Sequence, residues 1–419
     1  MKSTGISGKK VWGTKVRDTK VWGTKSGAMS TIAALLLAAC GGSDPDIPGS
    51  GAPAGAPTTR GSFRAVVSFG DSLSDVGSYT PASVVPGTNP PVYIGGKFTT
   101  NSATGTVWVE NLASALGLLV TPAEVGFNGK SSACPSAASP NPVIAASCTG
   151  YGQGGSRVTD PNGIGHDPAT GNGALTVPMV KQIANHLARF NGFKDSDLIL
   201  VYGGNNDVFT QFGGFAASAA KIQADAAAGK ITADQANALL FDAQTAAQAG
   251  MKQAALELAG YVSTQILAKG GKYVAVMTLS DIADSPFGSS VPASARPVLS
   301  NLSQIFNLWL RDGLTGQPVQ LIDTFALFKE AYANPAKYGI TNNATPACDA
   351  AKINAITGGA VTDGSSLFCN STADAPFNGL VSGANVTTWQ FADTVHPTTG
   401  GHKIISDAFT AQLKLFGWL

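Results

Sequence analysis

Residues 63–69, Phe-Arg-Ala-Val-Val-Ser-Phe, stop abruptly at Gly70-Asp71-Ser72-Leu73-Ser74-Asp75. A short, largely apolar run bounded by glycine reads as a buried strand. The polar residues after Gly70 can open a helix. Ser72 then falls at a strand-to-helix turn, where backbone N–H groups favour negative charge. A serine so placed can be a nucleophile, because its developing oxyanion has donors waiting. The rest of the chain must supply a base, an orienter for that base and further donors.

The strand signal recurs at residues 198–202, 273–279 and 319–322. Helical spacing of apolar residues recurs at 105–116, 177–190, 302–310 and 400–416. Pro292 and Pro297 leave the start of the 302–310 helix unassigned. Residues 216–258 form an alanine-rich helical insert, broken at Gly229-Lys230-Ile231-Thr232 with Thr232 as the cap. Residues 126–172 and 340–385 read as loops. Strands alternating with helices predict a three-layer α/β/α fold around a central, mostly parallel sheet. Active residues of such sheets sit on loops at the carboxyl ends of strands. Ser72 and Gly203-Gly204-Asn205-Asn206-Asp207 both follow strands, and so share one edge of the sheet. The insert follows Asn206 directly, which would let it cover that edge.

Charged residues make up 13% of the 419-residue chain, against roughly 25% in a typical domain. Seven of the 27 basic residues precede Cys40. Beyond them no Lys/Arg cluster marks a nucleic-acid surface. The basic stretch ending at Lys25 precedes an apolar run, residues 32–39, too short to span a bilayer. The run ends in Leu37-Ala38-Ala39-Cys40-Gly41, which resembles a bacterial lipoprotein signal. That resemblance implies cleavage of residues 1–39 and lipidation of Cys40. Residues 40–61 then form a Gly/Pro/Ser-rich tether, with the folded domain over 62–419. Gly41 after Cys40 favours the outer membrane. Lys10-Val11-Trp12-Gly13-Thr14-Lys15 repeats as Lys20-Val21-Trp22-Gly23-Thr24-Lys25, which is unusual for a signal and leaves the true start open. Of the five cysteines, four remain after Cys40, and the local pairings are Cys134 with Cys148 and Cys348 with Cys369. An oxidising compartment permits both, and the spacings fit no zinc pattern.

The base comes from four histidines, 166, 186, 396 and 402. His396 lies in Asp393-Thr394-Val395-His396-Pro397. Pro397 biases it away from helix, and Asp393 is close enough in sequence to fix its tautomer. His186 lies in a helical stretch and reads as structural, His166 lies in a loop, and His402 flanks the last helix. The Asn206 amide can donate to a tetrahedral intermediate, although Gly-Gly-Asn-Asn-Asp is also good turn chemistry. Gly154-Gly155 offers backbone N–H groups at close range.

Four segments in this order resemble the GDSL family of SGNH hydrolases: Gly70-Asp71-Ser72-Leu73, Gly150-Tyr151-Gly152-Gln153-Gly154-Gly155, Gly204-Asn205-Asn206-Asp207 and Asp393-Thr394-Val395-His396. Lys97-Phe98-Thr99-Thr100-Asn101 and Val107-Trp108-Val109-Glu110 resemble its bacterial lipase/esterase branch. The resemblance implies a flavodoxin-like fold, a nucleophile at Ser72, an acid/base at His396 and an orienter at Asp393. It implies oxyanion donors from the Ser72 N–H, the Gly155 N–H and the Asn206 side chain. The activity it implies is hydrolysis of lipid or short-to-medium acyl esters, with acyl transfer, polysaccharide deacetylation and a non-catalytic surface module as alternatives. No metal or organic cofactor is required. The sequence lacks Gly-x-Ser-x-Gly, so the sharp elbow of the α/β-hydrolases is not the model.

Overall fold

The computed structural model describes residues 55–84, 93–372 and 377–419. The signal, Cys40 and the tether up to residue 54 lie outside the described residues. Six strands form the central sheet: β1 (Ala65–Gly70), β2 (Thr121–Pro122), β3 (Cys148–Gly150), β4 (Asp197–Tyr202), β5 (Tyr273–Met277) and β6 (Gln320–Ile322). Their spatial order is β6-β5-β4-β1-β3-β2, and every neighbouring pair is parallel. Without the two-residue edge strand β2, this is the 2-1-3-4-5 order of the flavodoxin type. The chain reverses its direction of travel across the sheet between β1 and β4. A crevice therefore opens at their carboxyl ends.

Register explains which side chains meet there. β1 and β4 pair from Ala65 with Asp197 through Gly70 with Tyr202, so both strands finish level. Leu198, Ile199, Leu200 and Val201 are wholly buried, and burial of each such side chain contributes about 1.5–3 kcal/mol. Apolar residues on both faces of a strand demand helices on both sides. On one side lie α1 (Trp108–Ala115) and, at the end of the chain, Thr399–Leu415. Trp108 packs edge-on against Phe409 of that last helix at 4.9 Å, and Phe409 against Tyr202 of β4 at 6.1 Å. The other side carries α2 (Met179–Phe190), α3 (Asn205–Ala227), α4 (Ala233–Tyr261) and α5 (Arg296–Gly313). Here Phe69 of β1 meets Tyr151, His186 and Phe193. After β6 come α6 (Thr324–Ala333) and α7, the Thr399–Leu415 helix.

Several local expectations are refined. The polar residues after Gly70 open only a three-residue 3-10 turn, Ser72–Ser74, which the Asp71 side chain caps through the Leu73 N–H. Helix α5 starts at Arg296 because Pro297 sits in its first turn, where a missing N–H costs nothing. The alanine-rich helical segment extends beyond 216–258 at both ends. It belongs to the crossover from β4 to β5, whose helices begin at Asn205 and run to Tyr261, with a break at 228–232. Thr232 and Gln235 cap α4 reciprocally, at 2.8 and 3.2 Å. Residues 57–61, expected at the end of the tether, are bound to the last residues of the chain. Trp418 donates its indole N–H to the Pro57 carbonyl at 2.7 Å, and the Gly61 N–H donates to the Trp418 carbonyl at 2.9 Å. Both expected disulfides, Cys134–Cys148 and Cys348–Cys369, are formed. Among the described residues no helix is long and apolar enough to cross a membrane.

Candidate active site

Ser72 follows β1 directly, and its hydroxyl oxygen lies 2.8 Å from His396 Nε2. The other ring nitrogen, Nδ1, lies 2.7 Å from Asp393 Oδ2 and 2.9 Å from Oδ1. Asp393 and His396 share one turn, in which Asp393 Oδ1 accepts the backbone N–H groups of Val395 and His396 at 2.9 and 2.8 Å. That local geometry places the ring over its own carboxylate. The far side of the ring packs on Phe98, 4.8 Å between centroids. All three side chains are nearly buried, with Ser72 8% exposed and His396 15%. Burial by itself would raise the Asp393 carboxyl. The His396 charge and ring N–H, together with hydrogen bonding from Ser366, outweigh it and hold the group well below the ordinary carboxylate range.

Three N–H donors in the expected segments are uncommitted. Among the described residues no acceptor takes the Ser72 N–H, the Gly155 N–H or the second N–H of the Asn206 amide. The first Asn206 N–H donates to the Ser156 carbonyl at 2.9 Å, which aims the amide. Gly154 is excluded as a donor, because its N–H already binds Asp75 Oδ2 at 3.0 Å. Gly155 has φ +79° and the Ile164 carbonyl where a Cβ would lie, so only glycine turns the chain there without strain. The N-terminus of α3, opening at Asn205, adjoins the site.

Four polar residues that the motif reading left without a role lock these loops together. Asp75 accepts the N–H groups of Gly77, Ser78 and Gly154, at 2.9, 2.6 and 3.0 Å. It thereby ties the glycine loop to the turn after Ser72. Burial pushes the Asp75 carboxyl up to about 6. Asp207 binds Arg157 Nε and the Val158 N–H, both at 3.0 Å, and joins α3 to the loop after Gly155. Burial pushes it to about 6 as well, against the pull of Arg157. Asn205 donates to Asp71 at 2.9 Å. Gln182 of α2 receives the Gly70 N–H at 2.9 Å and donates to the Gly70 carbonyl at 2.8 Å, closing the end of β1.

The remaining histidines lie elsewhere. His166 sits on a small hairpin, with Nδ1 3.0 Å from the Ala174 carbonyl. His186 is buried between Phe190 and Phe193, and burial pushes it down to about 4. His402 lies within α7, wholly buried, between the Trp108 N–H and the Phe98 carbonyl.

A cavity of about 910 Å³, counting its open mouth, begins at Ser72 and His396. Its walls are mainly apolar: Leu73, Phe209, Ile282, Phe328, Phe391 and Ile405 are among them. Asn205, not Asn206, reaches the wall, and no residue of 216–258 does. The alanine-rich helices therefore support the site from behind and do not cover this cavity. Chemically, the arrangement offers an activated hydroxyl, a relay for its proton, donors for an oxyanion and an apolar bed alongside. A search of curated proteins returned no match. The model of the GDSL-like Lipase/Acylhydrolase family matches residues 66–409, which is most of the chain and contains every residue of the site, and the chain belongs to that family.

Proposed function

We propose that this chain is a serine carboxylic-ester hydrolase acting through an acyl-enzyme. Family membership supports a hydrolase or esterase-type activity broadly. The observation that carries the finer reading is the unbroken relay from Ser72 Oγ through His396 to Asp393, with the cavity at its open end. In this reading Ser72 attacks the ester carbonyl while His396 takes its proton. Asp393 holds the imidazole with Nε2 toward the serine and stabilises the imidazolium. The Ser72 N–H, the Gly155 N–H and the Asn206 amide receive the oxyanion, each contributing about 3 kcal/mol to lowering the barrier. His396 then protonates the leaving alcohol, and water repeats the sequence on the acyl-enzyme.

The apolar walls favour an ester whose acyl part is hydrocarbon over an acetylated sugar, which would need polar partners along its length. The sequence signal and the two disulfides support export, with Cys40 lipidated and the domain held at the outer membrane on its tether. The test is hydrolysis of p-nitrophenyl esters from acetate to palmitate by the chain from residue 41. The reading expects turnover that rises from acetate toward longer chains. Absence of turnover on every ester by folded protein overturns it. Transfer of the acyl group to added alcohol in preference to water would make it an acyltransferase.

A further inference from the structure

The Cys348–Cys369 bridge joins two segments that meet at Asp393. On one side the Cys348 N–H donates to the Ala392 carbonyl at 2.8 Å, one residue before Asp393. On the other, the Cys369 N–H donates to the Ser366 carbonyl at 3.0 Å, closing a 3-10 turn over Ser366–Phe368. The Ser366 N–H in turn donates to Asp393 Oδ2 at 2.8 Å. This is the same oxygen that lies 2.7 Å from His396 Nδ1. Asn101 anchors the turn from a third segment, its amide reaching the Ser366 carbonyl at 2.9 Å and its N–H the Cys369 carbonyl at 2.7 Å. The bridge thus completes a closed circuit through Ala392, Asp393 and Ser366. Oδ1 is fixed from within its own turn, but among the described residues Ser366 alone fixes Oδ2 from outside it.

We infer that the Cys348–Cys369 bridge is a positioning device for the site: acting through Ser366, it sets the rotation of the Asp393 carboxylate that faces His396. It rests on the reading of Asp393 as the orienter of His396. Cutting the bridge frees the Ser366 turn from residue 348, and the Asp393 carboxylate then wobbles against the imidazole. The chemical step slows while substrate binding is untouched. The other bridge is an internal control. Cys134–Cys148 closes a loop of comparable length, with a separation of 14 residues against 21. The two should therefore stabilise the fold to a similar degree. Cys148 lies on β3, with Thr121 beside its sulfur, and among the described residues no hydrogen bond joins it to the circuit.

The experiment compares Cys348→Ala/Cys369→Ala with Cys134→Ala/Cys148→Ala, each verified as folded by circular dichroism. Losing one charge-assisted hydrogen bond to the orienter should lower kcat about tenfold, with KM within about twofold, in the first variant only. The low-field proton signal of the His396 Nδ1–H should broaden or shift in that variant only. That signal is read without substrate, so it decides the coupling even where wild-type protein hydrolyses no ester and the hydrolase reading itself fails. Equal kcat and an unchanged signal in both variants, or the same loss in both, overturns the proposal. Should the first variant not fold, wild-type protein is reduced in steps and its thiols are mapped by mass spectrometry. Activity should fall in step with thiols at 348 and 369. Activity retained with those two reduced, or loss that follows 134 and 148, overturns the proposal equally.

Discussion

Replacing Asp75 by Asn should separate stability from activity. The carboxylate accepts three backbone N–H groups, two on Oδ1 and the Gly154 N–H on Oδ2. An asparagine oxygen can keep the first two. Its NH₂ group then faces the Gly154 N–H, donor against donor, and that buried N–H is left unpaired at a cost of about 1–3 kcal/mol. Against this, the native carboxylate carries a burial cost. Its pKa rises from 3.8 to about 6, roughly two units or 3 kcal/mol of penalty on the ionised form. The sign follows from that direction. Wild-type protein has the full benefit of protonated Asp75 below pH 4 and loses it as pH rises through 6. The variant has no such loss. Urea unfolding should therefore show Asp75→Asn less stable than wild type at pH 4.5, with the gap narrowing by about 2 kcal/mol at pH 7.5. Activity should not recover with it. Gly155 follows the residue whose tether is cut, and one misaligned oxyanion donor costs about 10²–10³ in kcat when fully lost. A fall of at least tenfold at pH 7.5, with KM little changed, is the expected result. A variant with wild-type kcat, or a stability gap that ignores pH, would refute the reasoning.

Other positions give simpler outcomes. His186, held down to about 4 by burial from its ordinary 6.5, contributes stability that is lost as pH falls from 6.5 through 4. His186→Phe should gain on the order of 3 kcal/mol relative to wild type between pH 7 and pH 4, measured by denaturant midpoints. Gln182→Leu strands the buried Gly70 N–H at the end of β1 and should cost about 2–3 kcal/mol of unfolding free energy. Phe328→Ala enlarges the cavity wall; the p-nitrophenyl ester profile should shift toward longer acyl chains, and an unmoved profile would place the acyl group elsewhere.

Legibility followed locality. β1, β4 and β5 are continuous apolar runs, so their burial and parallel pairing could be read directly. β2 and β3, at Thr121–Pro122 and Cys148–Gly150, are too short and polar to announce themselves amid loops. Ser72, Asp393 and His396 were legible because the first sits at a strand end and the other two share a turn. Asp75, Arg157, Asp207, Gln182 and Ser366 were not. Each binds a group that arrives from a distant segment, as Gln182 binds Gly70, 112 residues away, and no spacing rule encodes such a meeting. The alanine-rich helices looked like a lid because they follow Asn206 in sequence. Their length carries them across the back of the sheet, and only the first turns of α3 stay near the cavity.

The most direct test of the central claim is covalent. A fluorophosphonate probe is reacted with the wild-type chain and with Ser72→Ala, the adduct is mapped by mass spectrometry, and ester hydrolysis is followed in parallel. The account predicts a single adduct on Ser72, formed in step with loss of hydrolysis, and neither adduct nor hydrolysis in Ser72→Ala. An adduct on another residue, or hydrolysis that survives Ser72→Ala, would contradict it.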